Sequence, residues 1–550
     1  MASPNPPPRN LLDRVVGWVS PKAGLDRWQA RTRLAALDGS WKGGRKDRRP
    51  TRNWRPHGGS ADADTLLDLP DLRSRARDLA RNAPVAAGAI ATTTNGVIGD
   101  GLRLQASIDG VALGLTPEQA DAMEREQERE WEAFCRRCDF TGVQCFDEIQ
   151  VLAFRSIKES GDVVILRRFR KDPGDLYGTK LQVIEADRLC NPDYGADSDT
   201  MAGGVEINAD GVPVKYHIAR KHPGGLRVSG NSWEAVPARS ADGLRIVLHL
   251  FERTRPELSR GIPYLAPVIE HFKQISDYSD AEVTAAVVSA MFTLAIETPN
   301  DEDGNPLVGE AEDANLEANE TKLGNGAIIS LAPGEKATPV NPARPNANFD
   351  PFIKAFMQQV GVALQLPLEL LLKHFEASYS ASRAALEMAW AYFNQQRSWF
   401  AWRFNQEVYG WAMDEAVAAG RLARPGWFAN PMIREAYLGA EWIGPRRWSL
   451  NPQQEAGADE IDIRLGVKTR EQICIERTGG DIEKKLDQLA KEQARMVDGG
   501  LAASPNAAAP ASQPANRPTS PAPDDENDDE GDDAPHDEGD APSDQKDAAA

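Results

Sequence analysis

The chain has 550 residues, a formal net charge of −20 and a hydrophobic content of 41%, enough for several domains with real cores. Residues 1–60 hold 13 Lys+Arg against four Asp+Glu (+9), residues 501–550 hold two against 13 (−11), and residues 61–500 carry the remaining −18. A uniformly basic nucleic-acid binder is thereby excluded, and five cysteines in this length exclude a disulfide scaffold.

The opening Met-Ala-Ser-Pro-Asn-Pro-Pro-Pro leads into no apolar run of signal length, so the expectation is a soluble, intracellular chain. Residues 39–64 read as loop. The basic run Arg45–Arg49, between Trp41 and Trp54, can touch phosphate or act as a flexible arm on a partner surface. Residues 71–91 read as one helix. Asn95–Gly101 is Gly-rich but follows a helix, so it predicts a helix stop and turn, not a dinucleotide cradle. Thr116-Pro-Glu-Gln119 is a capping box opening a charged helix that runs to about Phe134. Cys135-x-x-Cys138 with Cys145 lacks the second ligand pair of a zinc knuckle. A metal or redox role stays open, but ordinary cysteines at a helix end is the stronger reading.

A β-rich stretch follows. Val163–Leu166, Leu181–Ile184 and Arg245–Phe251 are strand candidates. Val205–Ile218 alternates around Asp210-Gly211 as a hairpin, with Val212, Val214, Tyr216 and Ile218 on one face. Beyond Pro263, residues 264–297 form a long apolar helix pattern. Its Val283–Ile296 run is shorter than the ~20 residues of a membrane span and predicts a buried helix. Residues 298–345 are a polar insert with one apolar run at Ala327–Leu331. The acids of Asp301–Glu320 predict a solvated loop or a divalent-cation site. A second helix pattern covers 349–366 and stops at Pro367.

A third long helix, about 381–420, carries the stripe Leu386, Trp390, Phe393, Phe400, Phe404, Val408 and Trp411, with Trp399, Trp402 and Tyr409 off it. A helix apolar on more than one face is buried in a large body or between subunits. Thr469-x-x-Gln472 and Asp481 can cap two short helices, the second with Leu486, Leu489, Met496 and Val497 inward. Residues 504–550 lack large apolar side chains and read as disordered. No phosphate loop, nucleophile elbow or His-Glu-x-x-His pair occurs. A large chain without such machinery reads as structural or assembly-forming.

Several blocks, in order over about residues 10–500, resemble the lambda-type portal proteins of tailed bacteriophages. Arg73, Arg75, Arg81 and Asn82 belong to a first block, followed by Gly99 and Gly101. Asp187 lies in Ile184–Leu189, and Arg260-Gly261-Ile-Pro263 is the most specific block. Tyr379-Ser380-Ala-Ser-Arg383 resembles a family element, with Ser378 where the family usually has Asn and Ala381 where it usually has a second Ser.

The resemblance implies an α+β portal fold and a non-enzymatic function without cofactor. It divides the chain into a basic N-terminal arm (1–65), a wing (66–262), a stem helix (263–297), a clip (298–345) and a second stem helix (346–366). A channel loop (367–381), a spine helix (382–420), a helical crown (421–500) and the acidic tail (501–550) complete it. It implies a homo-oligomeric ring of about twelve subunits at one capsid vertex of the virion, assembled in the host cytoplasm. The expected partners are double-stranded DNA passing without sequence preference, the terminase large subunit, head-completion and neck proteins, and capsid and scaffold proteins. No membrane partner is expected. The channel-loop candidates are Phe375, Glu376, Tyr379, Ser380 and Arg383. Another non-enzymatic phage head or neck component is the alternative.

Overall fold

The computed structural model describes residues 11–37, 49–50, 53–54, 56, 58–225, 230–291, 295–297, 336–338, 349–375, 378–448, 451–478, 480 and 482–499. Trp41, most of the basic run 45–49, the acids of 301–320, the run 327–331, Glu376, Asp481 and the tail 501–550 lie outside these residues. The helix Ile482–Asp498 falls almost wholly in a second compact unit that begins at Glu483, and is described by itself.

The first departure from the sequence reading is at Ala83. Residues 71–91 are not one helix but parts of two, Leu69–Asn82 and Pro84–Val97. Pro84 has no N–H to donate and its ring crowds the preceding turn, so Ala83 turns extended (φ −102°, ψ 110°) and the second helix starts with proline in its first turn. That helix ends at Val97, and Gly99 (φ +58°) and Gly101 (φ +117°) make the expected turn. The Thr116 box also forms: Thr116 Oγ1 accepts from Gln119 N and Gln119 Oε1 from Thr116 N, opening the helix Pro117–Cys135.

Strand Asp162–Phe169 is the centre of the β structure. It pairs antiparallel with Thr179–Ile184 on one side and Val247–Phe251 on the other. Its run Val-Val-Ile-Leu is buried on both faces: Val163 and Ile165 enter the main core, Val164 and Leu166 a second, smaller one. That is why it shows no polar alternation. The second core is closed by a four-stranded antiparallel sheet, Met201–Ala202, Val205–Ile207, Pro213–Ala219 and Trp233–Pro237. Here Tyr216 and Ile218 are buried, whereas Val212 and Val214, expected on the same face, are exposed at the hairpin end beyond that core. Strand Arg103–Ala106 pairs with Ala440–Ile443, tying the C-terminal part of this unit back to its N-terminal half. Lys336–Thr338 pairs with Ala295–Glu297.

The main core gathers helices Pro84–Val97, Pro117–Cys135, Phe146–Ser160, Leu368–Leu372 and the aromatic helix. The aromatic helix runs as Tyr379–Phe400, a π turn Ala401–Asn405, and Gln406–Ala418. Phe393, Phe400, Phe404, Val408 and Trp411 are buried, with Leu386 and Trp390 partly so. The π turn inserts an extra residue, rotating the downstream face, and Tyr409 becomes buried beside the stripe. Trp402 instead points to solvent at 71% exposure.

Three expectations of burial do not hold within one chain. Val283 and Val287 of helix Ile269–Met291 are exposed. So are Leu486, Leu489, Met496 and Val497 in helix Ile482–Asp498, and Trp402. The apolar periodicity is real in each case, but none of the described residues of the same unit covers it. Among the described residues, no helix is long and apolar enough to cross a membrane.

Candidate functional site

Three of the motif residues converge on a residue the sequence reading did not single out. Asp162 opens the central strand directly after Gly161, which caps helix Phe146–Ser160 in a left-handed conformation (φ +91°). Its carboxylate is fully buried. Oδ1 accepts from Arg73 Nη2 (2.8 Å) and Arg260 Nη2 (3.2 Å). Oδ2 accepts from Arg260 Nε (2.6 Å) and the Gly261 amide (3.2 Å), and lies 3.1 Å from His249 Nε2. Arg260 also donates to the carbonyls of Leu189, Gly203 (2.7 Å) and Ala186 (2.7 Å), and Arg73 to that of Ser160 (2.8 Å).

Arg260 thus directs its whole guanidinium fork at acceptors, which is what a charge removed from water requires. Burial alone would raise the Asp162 carboxyl, but Arg260 and Arg73, with the His249 bond, hold it well below the usual carboxylate range. Burial lowers Arg73 to about 10 despite Asp162, and lowers His249 against the same partner. Asp187 is the outer member: burial is outweighed by Arg77, to which it is bonded, and by Arg73, so its carboxyl is lowered too. Glu185, Asp187 and His222 bring three ligand-type atoms within 4.8 Å of one another, but Arg77 already supplies the positive charge there.

Gly261 and Gly161 approach backbone to backbone: a Cβ on Gly261 would lie 2.0 Å from the Gly161 carbonyl oxygen. Pro263 is buried, and the next amide, Tyr264 N, donates to Lys158 O (3.0 Å). Lys158, also missed by the sequence reading, is a second buried charge. Its Nζ donates to Glu252 Oε1 (2.6 Å) and Gln396 Oε1 (2.8 Å), joining helix Phe146–Ser160 to the aromatic helix. Burial lowers its pKa, with Glu252 opposing.

The other motif residues stay apart from this node. Arg75 faces Asp71 at the surface (3.8 Å), Asn82 Nδ2 donates to Asp78 (2.7 Å) and Arg81 is exposed. Gly99 packs against Pro445 and Gly101 against Asp147. The thiols of Cys135 and Cys138 are pushed up by burial.

The loop candidates occupy a different place. Helix Leu368–Leu372 ends at Lys373 in the left-handed region (φ +55°), and Ser378 caps helix Tyr379–Phe400 by accepting from the Ala381 amide (3.4 Å). Asn and Ser are both strong N-caps, so Ser378 preserves the start of the helix where the family usually has Asn. Phe375, Tyr379, Ser380 and Arg383 are all exposed. Arg383 lines a cleft of about 590 Å³ with Arg446, Trp448 and Glu455.

Residues 47–397 match the model of the family described as "Phage portal protein, lambda family". The chain belongs to that family. It is 25% identical to the portal protein of Escherichia phage N15 over 485 residues, covering 83% of this chain and 90% of that one. Portal protein B of Escherichia phage lambda gives 25% over 488 residues with the same coverage. The probable portal protein of Halomonas phage phiHAP-1 gives 26% over 484 residues, covering 86% and 87%. Among solved structures, a chain from the neck of an empty gene transfer agent particle aligns with TM-score 0.42 and 16% identity, covering 77% of this chain and 95% of that one. The role of a lambda-family portal protein is structural, as a head–tail connector in genome packaging and virion assembly. In this portal chain the buried node is a fold-locking element, and Phe375, Tyr379, Ser380 and Arg383 lie apart from it at the surface.

Proposed function

We propose that this chain is the portal subunit of a tailed phage or prophage: a closed ring at one capsid vertex through which double-stranded DNA is packaged and later released. The observation that carries the reading is the continuous family match from residue 47 to Arg397, reaching from the basic head into the aromatic helix. In this reading 66–262 is the wing, helices Ile269–Met291 and Phe349–Ala363 are the stem, 298–345 is the clip that meets the terminase large subunit and then the neck proteins, and 421–500 is the crown. The surfaces at Val283, Val287, Met388 and Trp402, exposed in one chain, are of the kind that neighbouring subunits cover.

No covalent step belongs to this function. DNA must slide, so phosphate contacts have to be few and weak, and the net charge of −18 over residues 61–500 meets that need. The exposed Phe375, Tyr379, Ser380 and Arg383, with Glu376, form the loop proposed to touch the passing duplex. The test is imaging and native mass of the purified chain. A hollow ring whose mass is a multiple of 60.1 kDa is expected. A compact monomer under every assembly condition contradicts the reading. Removing residues 374–378 should leave the ring intact while reducing DNA retention in filled heads; unchanged retention would remove the loop from the mechanism.

A further inference from the structure

Strands Arg103–Ala106 and Ala440–Ile443 form a two-stranded ribbon with two outer edges. Ser107 N donates to Gly439 O (2.9 Å), which fixes the alternation of the ladder. Residues 439, 441 and 443 turn their backbone groups toward the first strand, and Ala440 and Trp442 turn theirs outward. The two edges are treated differently. On the first strand, the outward amide of Ala106 donates to Glu128 (3.2 Å) and that of Ile108 to Glu124 (2.6 Å), both acids of helix Pro117–Cys135. On the other edge, no described residue bonds the backbone of Ala440 or Trp442. A cleft of about 380 Å³ runs along that edge, lined by residues 441–445. The aromatic helix contributes Trp390, Asn394 and Arg397 to it, and helix Arg470–Thr478 contributes Ile475 and Glu476. Glu476 is taken by Lys468 (2.6 Å), whereas Arg397 pairs with no carboxylate among the described residues. Arg397 Nε donates to Val97 O (3.1 Å), Nη2 to Gly96 O (3.0 Å) and Pro445 O (3.4 Å), and Nη1 to Asn394 Oδ1 (3.1 Å). These bonds use four of the five N–H groups of a guanidinium and leave one on Nη1. Burial lowers its pKa to about 10, and no neighbouring charge opposes that shift.

We propose that this edge docks an extended polypeptide segment of another protein, which adds as a third strand beside Ala440–Ile443 and places an aspartate or glutamate at the free Nη1 of Arg397. An unpaired strand edge is a row of donors and acceptors that another strand can answer, and in such additions the main chain gives affinity while side-chain contacts give specificity. A helix satisfies its own backbone internally and cannot answer that row. Four residues of strand span only ~13 Å, so the ladder is short and the contact at Arg397 has to carry the selection. A guanidinium drawn out of water without a counter-charge gains more from a carboxylate than from a neutral amide. The two features therefore select one occupant: extended in backbone, and acidic at one position.

The experiment titrates the full chain with labelled octapeptides of alternating Val and Thr, each carrying one Asp at a different position. At least one register is expected to bind, and the same peptide with Asn for Asp should bind about tenfold more weakly. N-methylation of the alternate amides that face the ladder should cost at least about tenfold, and methylation of the intervening amides should change little. In Arg397→Gln the Asp peptide should bind no better than the Asn peptide, while sensitivity to N-methylation remains. Should that variant fail to fold, the Asp and Asn peptides on the parent chain decide the point alone. Three results overturn the proposal: no peptide binds, N-methylation has no effect in either set, or Asp and Asn peptides bind the parent equally. Binding to a dissociated monomer but not to the assembled oligomer overturns it too, and assigns the edge to a neighbouring copy.

Discussion

At Asp162 a single carboxylate holds two arginines that come from 89 and 98 residues away. Asp162→Ala leaves Arg73 and Arg260 buried without a counter-charge, and should destabilise the fold by about 3–5 kcal/mol in chemical denaturation. Gly261→Ala should be comparably damaging for a steric reason, because the new Cβ would meet backbone and not a movable side chain. The node also sets a pH dependence. Asp162 and His249 both have folded-state pKa values below their ordinary ones. A group depressed in this way contributes stability above its unfolded pKa and loses it as pH falls. Thermal midpoints should therefore be flat above about pH 6.5, fall below it as the unfolded state takes up a proton at His249, and fall further near about pH 4 from Asp162. His249→Gln keeps a donor without titrating, so the first decline should vanish and the second remain. None of this was visible in the sequence as a motif. Asp162 has no local signature, although one clue was present: an acid heading a strand of four apolar residues must find its partners elsewhere. Arg73, Arg260 and Gly261 could be picked out by family pattern, but not what they surround.

Among the elements, those fixed by local chemistry were legible: the Thr116 capping box, the glycine turn at 99–101, the doubly buried strand at 163–166 and the aromatic stripe. Two others depended on geometry the pattern does not encode. The helix break at Ala83 follows from Pro84, yet the apolar spacing on either side reads through it. The π turn at 401–405 decides that Tyr409 is buried and Trp402 is not, and the sequence carries no mark of an inserted turn. The faces expected to be buried at Val283 and Leu486 were legible as apolar but not as uncovered, since a sequence does not say which chain covers a stripe. Helices Pro452–Leu465 and Arg470–Thr478 show the same property: neither has a buried residue, and Ile461, Leu465 and Val467 face solvent. A chain ending after Trp448 retains strand Ala440–Ile443 and every residue of the main core. Its thermal midpoint should stay within about 4 °C of the full chain, while its assembly into the oligomer should be lost. A large fall in midpoint would mean that these helices stabilise the single subunit.

For the whole molecule the decisive quantity is not the net −20 but its division into +9, −18 and −11 along the chain. Binding of duplex DNA releases counterions in proportion to the phosphates neutralised, so the logarithm of affinity falls against the logarithm of salt with a slope of about −0.9 per contact. A conduit with few such contacts should have a shallow slope, whereas a protein that grips DNA has a steep one. In the full chain the basic head supplies the densest run of cations. Deleting residues 1–60 should therefore remove most of whatever affinity the full chain has for duplex DNA, together with most of its salt dependence. Titrating both proteins with labelled duplex at two salt concentrations measures this directly. If the deleted chain kept a steep slope, the lysines and arginines of the acidic body would have to be gathered along one surface. The channel proposed above would then have a basic wall, against the reading of a weakly interacting passage.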